Sequence, residues 1–317
     1  MKPGHPARQQ GAALLSAMLV VTLVASLASA ALWLQWRQVE IETAERGRAQ
    51  SSWLMTGAFD WTRLILSEDA RSAQSADHLG EPWALPVQES KLSTFLSQDQ
   101  QWREGDPEVF LSGQIVDAQS RLNLASLLED GQPSPAAQAA WVRLFERLDI
   151  PQSEWQALMQ GWIQATAGAQ GKAGIANPAN TPLLPQRLEQ LAWLGVSPRT
   201  LERLRPHATV LPVATPVNLN TASEVVLEAV VPSLSAADAR QWILQRNAKP
   251  WTSLQEAAQA LGPAGRLLDE RQHAIRSRFF EIQGRLRMGS SVQHEWALVE
   301  REGGQTRMLW RHRASLQ

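Results

Sequence analysis

The chain has 317 residues, 30 Lys+Arg against 31 Asp+Glu, a formal net charge of −1, and neither Cys nor Tyr. Without cysteine there is no disulfide framework, no thiolate metal site and no cysteine nucleophile. Near-neutrality argues against a protein whose main partner is the phosphate backbone of nucleic acid, and the length suits one or two globular modules with a proper core.

The first predicted element is an apolar helix. No charged residue lies between Arg8 and Arg37. Residues 12–34 are almost wholly apolar, and a helix of that length spans roughly 35 Å, enough to cross a hydrocarbon core. Lys2 and Arg8 in front of it place the N-terminus in the cytoplasm, and Trp33 and Trp36 fall where the far interface should lie. A cleaved secretory signal is the competing reading, because Ala28-Ser29-Ala30 is an A-x-A-like site; the apolar run is longer than the usual signal core of about 7–15 residues. No proline occurs between Ala7 and Glu81, so helix-compatible sequence continues past the membrane over residues 35–66, interrupted only by Gly47 and Gly57. Leu54, Ala58, Trp61 and Ile65 keep helical spacing and form one stripe. With Trp53 beside them, they are the candidate partner-contact residues: Trp53, Leu54, Trp61 and Ile65.

Residues 67–92, with Pro82 and Pro86, suggest a loop. The β-branched, Gly-interrupted run 109–117 predicts one or two strands. Ser134-Pro135 opens a helix over 136–148, and Ser153 opens a second that carries Trp155, Trp162 and Ile163. Residues 168–185 form a loop, and Leu188, Leu191 and Leu194 a further helix stopped by Gly195. Three capping boxes follow, at Thr221, Ser235 and Ser253, starting helices over 225–231, 239–247 and 254–261. These repeated units resemble helix-hairpin-helix modules of DNA-binding proteins. The hairpin Pro232-Ser233-Leu234-Ser235 lacks the glycines that approach a phosphate, so the unit is taken as a packing module. A membrane-anchored helix-hairpin-helix DNA-binding protein is the alternative function. The end of the chain alternates with period two from Phe280 to Met288, over 292–300 and over 306–313, a three-stranded meander whose last strand carries Arg307, Arg311 and Arg313. Those arginines suggest a solvated strand face or a docking surface for an acidic partner.

Familiar catalytic arrangements are missing. None of the six histidines pairs at i+4, so there is no helical zinc-protease motif. No G-x-S-x-G elbow occurs. Gly168-Ala169-Gln170-Gly171-Lys172 has neither the spacing nor the Ser/Thr of a phosphate loop. The expected protein is not an enzyme and holds no catalytic or cofactor-binding residues.

Arg8-Gln9-Gln10-Gly11 followed by Ala12-Ala13-Leu14-Leu15-Ser16 resembles a type IV prepilin leader. In that class a dedicated peptidase cuts after the glycine, which places the cut between Gly11 and Ala12 and makes Ser16 position five of the mature chain, where ordinary subunits carry Glu. Further stretches follow in the same order as in one family. They are the run from Val116 to Leu124, Trp162-Ile163, Ala176-Asn177-Pro178, Val217 to Ser223, Leu227, the helix of Arg246, and the run from Arg276 to Phe280. Together they resemble the type II secretion system minor pseudopilin K family (general secretion pathway protein K), over nearly the whole chain.

The resemblance implies an α+β pseudopilin fold: a long N-terminal helix, an antiparallel sheet and a large inserted all-α domain. The segments are then a leader (1–11), a transmembrane helix (12–34), the periplasmic part of the long helix (35–66), a loop and first strands (67–120), the helical domain (121–274) and C-terminal strands (275–317). It also implies a single-pass protein of the bacterial inner membrane with its body in the periplasm. Its partners would be the minor pseudopilins I and J, other pseudopilins and prepilin peptidase, and no nucleic acid. It would sit at the pseudopilus tip and prime assembly for export of folded proteins. A tip subunit has none above it, so Ser16 in place of Glu is normal for this member. The family's acidic calcium loop after Trp-Ile is replaced here by 164–172, without a carboxylate as far as Pro185. No cofactor is expected, and the calcium site is doubtful.

Overall fold

The computed structural model describes residues 10–71, 76–92, 108–129, 131–171, 181–289 and 291–313. They fall into two compact units, one ending at Thr56 and one starting at Gly57. The first is the greater part of a single helix, α1 (Gln10–Arg71), which runs through Gly47 and Gly57 without a break. Its hydroxyls turn back onto the helix: Ser16 Oγ donates to the Ala13 carbonyl at 2.9 Å, Ser26 Oγ to Thr22 at 2.8 Å and Ser29 Oγ to Ala25 at 2.8 Å. With Thr22 Oγ1 donating to the Leu19 carbonyl, the hydroxyls of the apolar stretch are satisfied inside the helix, which favours entry into lipid.

The second unit is built on a five-stranded sheet of β1 (Val87–Lys91), β2 (Val109–Asp117), β3 (Phe279–Met288), β4 (Ser291–Glu302) and β5 (Gln305–Arg313). The strands lie in chain order and every neighbouring pair is antiparallel. The expected meander is β3–β5, and β2 is a single strand beside it. Its last turn, Gly303-Gly304, has φ of 56° and 78°, the mirror-image geometry that matches strand twist and favours glycine.

Residues 67–92 are not simply a loop. α1 continues to Arg71, Pro82–Ala84 form a 3-10 turn, and β1 pairs with β2. The short polar strand carries no hydrophobic alternation, and both prolines precede it rather than interrupt it. The C-terminal end of α1 lies on one sheet face with Phe59 and Leu66 fully buried. Arg63 Nη2 donates to the Thr306 carbonyl at 2.8 Å and Ser67 Oγ to the Gly304 carbonyl at 2.6 Å, tying helix to turn. Trp83 meets Phe280 edge-on with ring centroids 5.1 Å apart.

Between β2 and β3 the chain makes the helical block: α2 (Pro135–Arg147), α3 (Gln152–Ala169), α4 (Pro198–Leu204), α5 (Glu224–Val230), α6 (Ala236–Ala248) and α7 (Leu254–Ala260). One apolar core runs through it, with Trp141, Leu144, Leu158, Leu191, Leu227 and Ala239 among its buried members. Trp141 stacks on Trp155 at 6.3 Å, and Trp242 on Trp251 at 4.3 Å. Pro151, not Ser153, precedes α3, because its fixed φ of −57° already suits a helix entry. Leu188–Leu194 is a 3-10 helix closed by Gly195 at φ 85°. The Ser197-Pro198 signal opens α4, which the sequence reading passed over.

The cap of α5 is Ser223, whose Oγ accepts from Val226 N, and Thr221 lies outside the helix. Ser235 and Ser253 cap α6 and α7 as expected. The Arg-rich last strand is not a free basic face. Arg307 donates to the buried Glu300 at 2.6 Å, and Arg311 and Arg313 both pair with the buried Glu295. Their charges are met within the chain, which argues against a surface held for an acidic partner.

Candidate functional site

Gly11 and Ala12 lie in the first turn of α1, and Ser16 one turn further on. The residues that follow them form an apolar helical surface: Leu14, Leu19, Val21, Leu27 and Leu32 are each more than half exposed. α1 is long and apolar enough to cross a membrane. Arg37 sits 5.6 Å from the Trp33 ring, a cation–aromatic pair at the end of the apolar run, where an interface would be wet.

Beyond that point the candidate contact residues separate. Trp53 is 77% exposed, Trp61 is exposed, and Leu54 and Ile65 are half-buried. The face that meets the sheet is instead carried by Phe59 and Leu66. The stripe of Leu54, Ala58, Trp61 and Ile65 is therefore the flank of the packed face. Trp53 and Trp61, with Leu64 at 59% exposure, leave large apolar side chains outward at helical spacing.

What holds this helix on its sheet is a buried polar cluster that sequence reasoning missed. Arg301 on β4 donates through Nη1 to Asp69 of α1 at 2.6 Å, pairs with Asp77 through Nη2, and donates to the Ser277 carbonyl at 3.0 Å. Its guanidinium also lies 4.5 Å from the Phe280 ring. Asp77 accepts from Ser277 N at 2.7 Å. Glu81 accepts from His78 N at 2.9 Å and from Trp83 Nε1 at 2.7 Å, and its burial pushes the carboxyl up to about 7. Burial likewise raises Asp69.

A second carboxylate, Asp117 at the end of β2, accepts from Thr221 Oγ1 (2.5 Å), Ser277 Oγ (2.7 Å), Asn218 Nδ2 (3.0 Å) and Gln119 N (2.8 Å). Complete burial outweighs those donors and holds its carboxyl up at about 6. Asp117, Asn218 and Thr221 all lie in stretches singled out from the sequence. Their meeting could not be read there, because it spans the helical insertion.

Asp69, Asp77 and Glu81 bring carboxylate oxygens within 4.8 Å of one another. Arg301, two backbone N–H groups and an indole already serve these oxygens, so the group is a structural ion-pair cluster. The stretch expected to lack the carboxylates of a calcium loop begins inside α3. After Trp162-Ile163 the chain continues as α3 to Ala169, and residues 164–171 offer no carboxylate. Residues 172–180, the rest of that reading, lie outside the described ones, as does Ala176-Asn177-Pro178.

The helix-hairpin-helix unit is α5 and α6 joined by residues 231–235, with Ser233 at φ 64° in the left-handed region that glycine usually fills. It is braced from within. Arg246 of α6, 4% exposed, donates to the carbonyls of Leu219 and Ala222, so this guanidinium serves the fold rather than a ligand.

Comparison with known proteins agrees with this layout. Two family models, both described as type II secretion system (T2SS) protein K, match residues 120–213 and 217–276. A type II secretion system protein K from Pectobacterium carotovorum is 24% identical over 330 residues, covering 96% of each chain. That of Pseudomonas aeruginosa is 24% identical over 322 residues, covering 96% of this chain and 92% of its own. That of Klebsiella pneumoniae is 26% identical over 323 residues, covering 93% and 94%. The crystal structure of the GspK-GspI-GspJ complex from the enterotoxigenic Escherichia coli type 2 secretion system contains a chain of the same fold. That chain superposes with a TM-score of 0.63 at 20% identity, covering 86% of this chain and 99% of its own.

Proposed function

The chain belongs to the type II secretion system protein K family, and from that premise we propose that it is a non-enzymatic minor pseudopilin at the tip of the pseudopilus. There it primes filament assembly for the export of folded proteins. The observation that carries this reading is α1: one unbroken helix of 62 residues, apolar and exposed at its start and seated on an antiparallel sheet at its end. A filament subunit needs a helix that first anchors in the bilayer and later packs against its neighbours. The apolar run of 12–34 serves the first purpose, as a single-pass anchor in the inner membrane with the body in the periplasm. Trp53 and the exposed flank beyond it serve the second.

The related Escherichia coli chain was solved in a complex with GspI and GspJ. The equivalent minor pseudopilins are the proposed partners here. Prepilin peptidase is the proposed processing enzyme, cutting between Gly11 and Ala12. No step calls for a cofactor. Sequencing the mature N-terminus tests the reading: a start at Ala12 supports it, and a start at Ala31 or a retained Met1 overturns it.

A further inference from the structure

Asp69 of α1 and Asp77 and Glu81 of the segment 76–85 bring carboxylate oxygens within 4.8 Å of one another, and the latter two residues are buried. Arg301 of β4 spends both terminal nitrogens on Asp69 and Asp77. Both donors to Glu81, His78 N and Trp83 Nε1, are neutral, and both reach the same oxygen, Oε2. The His78 ring brings no positive charge, because its Nδ1 accepts from Gly80 N at 3.1 Å and burial lowers its pKa. Behind Asp77 stands Asp117 of β2, joined to it through Ser277, so that side of the cluster is acidic too.

One guanidinium cannot balance three ionised carboxylates so close together and so little hydrated. The group is therefore most favourable when one carboxyl holds a proton. Glu81 is the one placed to hold it. Arg301 favours the ionised form of the other two, and Glu81 Oε1 can carry hydrogen while Oε2 still accepts from both donors. Burial, which pushes this carboxyl up to about 7, acts in the same direction.

The same residue fastens its segment. Glu81 Oε2 ties the backbone at His78 to the indole of Trp83, and that indole, 1% exposed, lies edge-on to Phe280 of β3. Asp77 pins the start of the segment to Ser277 and Arg301. Ionising Glu81 sets it against Asp77 and Asp69, the two groups that fix the segment and the last turn of α1.

We propose that this cluster is a proton-operated latch. With one proton bound it holds segment 76–85 and the last turn of α1 on the sheet; losing that proton lets the segment lift and uncovers Trp83. The closed latch binds the proton more tightly than the open one, so opening becomes easier as pH rises from the ordinary carboxyl value of 4.5 to about 7. The latch needs no partner and stands apart from any role in a filament.

Hydrogen exchange read by mass spectrometry tests it on the full chain in lipid nanodiscs, with rates corrected for the intrinsic effect of pH on amide exchange. Opening of 76–85 should rise at least about tenfold between pH 5 and 8. In Glu81→Gln, whose amide does not titrate, the rise should vanish. At each pH the segment should stay less protected than residues 137–146 of α2, as a local opening requires. Trp83 gives a second reading that needs no change at Glu81. Its 5-fluorotryptophan resonance, assigned with Trp83→Phe, should move toward the solvent-exposed position over the same pH range. Exchange of 76–85 or a Trp83 resonance that ignores pH would overturn the proposal, as would a rise that persists in Glu81→Gln. Equal protection of 76–85 and 137–146 would also sink it, because the cluster would then open only with the whole body.

Discussion

Thr221 Oγ1 donates to Asp117 Oδ2 at 2.5 Å, joining the end of β2 to the start of the helix-hairpin-helix unit across 104 residues of chain. Ser277, two residues ahead of β3, donates to the same oxygen at 2.7 Å. The entry to the helical block and its exit are thus locked on one buried carboxylate. Replacing Asp117 with alanine removes an acceptor shared by three side-chain donors and one backbone N–H, and should cost about 3 kcal/mol. Thr221→Val removes one donor and should cost about 1 kcal/mol. Thermal unfolding of both variants, followed by tryptophan fluorescence, checks the order.

Glu81 gives the pH dependence a sign. Its carboxyl rises from an ordinary value of 4.5 to about 7 because burial penalises the charged form more than Trp83 and the His78 N–H reward it. A raised carboxyl contributes its full stability below pH 4.5, and loses it as pH climbs through 7. Glu81→Gln, which does not titrate, should therefore gain stability relative to the parent chain between pH 5 and 8. Midpoints of the two proteins measured across that range should converge or cross as pH rises; a constant difference would refute the assignment.

The same two regions show what a sequence can and cannot reveal. The strands β3–β5 were legible because apolar and polar residues alternate along them, as Phe280, Ile282 and Leu286 do with Glu281, Gln283 and Arg285, although Glu281 is itself buried. Ser235 and Ser253 were legible because a cap is decided within four residues. β1 was not, since Val87–Lys91 is a polar edge strand whose existence depends on β2 alone. Thr221 has the local pattern of a cap, but Asp117, distant in sequence, takes its hydroxyl, and Ser223 caps α5 instead. On α1 the apolar residues around Trp53 are too many to show which of them face a sheet. Only the turn at Gly304 and the strand end at Arg301 select Phe59 and Leu66.

Glycines divide by what surrounds them. A methyl at Gly113 would sit 2.6 Å from the Gln283 carbonyl oxygen, inside the β2–β3 ladder, where neither backbone can retreat. Gly113→Ala should lower stability by about 2 kcal/mol through overpacking. At Gly57 nothing lies within 4 Å, and the position is helical and exposed. Gly57→Ala should raise stability by up to about 1 kcal/mol through helix propensity. Opposite shifts of the thermal midpoint are the expected outcome.

Arg246 tests whether the helix-hairpin-helix unit is a packing device. Its guanidinium bridges the carbonyls of Leu219 and Ala222, and burial, with no carboxylate partner among the described residues, lowers it to about 10. A lysine brings one compact ammonium instead of a planar fork and cannot span both acceptors in the same way. Arg246→Lys should cost about 2 kcal/mol and Arg246→Ala about 3 kcal/mol, read from urea denaturation. If the arginine were held for an external anion, both variants would unfold like the parent and differ only in anion binding.

Trp53 and Phe59 lie on one helix and should fail in different ways. Phe59 is 1% exposed and lies 4.9 Å from the guanidinium of Arg311, which Glu295 already pairs, so Phe59→Glu buries a further, uncompensated carboxylate and should destabilise the body by more than about 3 kcal/mol. Trp53 is 77% exposed, so Trp53→Glu should leave the thermal midpoint within about 1 °C of the parent. If the exposed flank is the filament contact, Trp53→Glu will nonetheless lose co-purification with the partner minor pseudopilins and reduce secretion. Retention of both by a folded Trp53→Glu protein would move the partner surface off this helix. The charge is placed where it costs the isolated chain almost nothing, so a defect there reports on association alone.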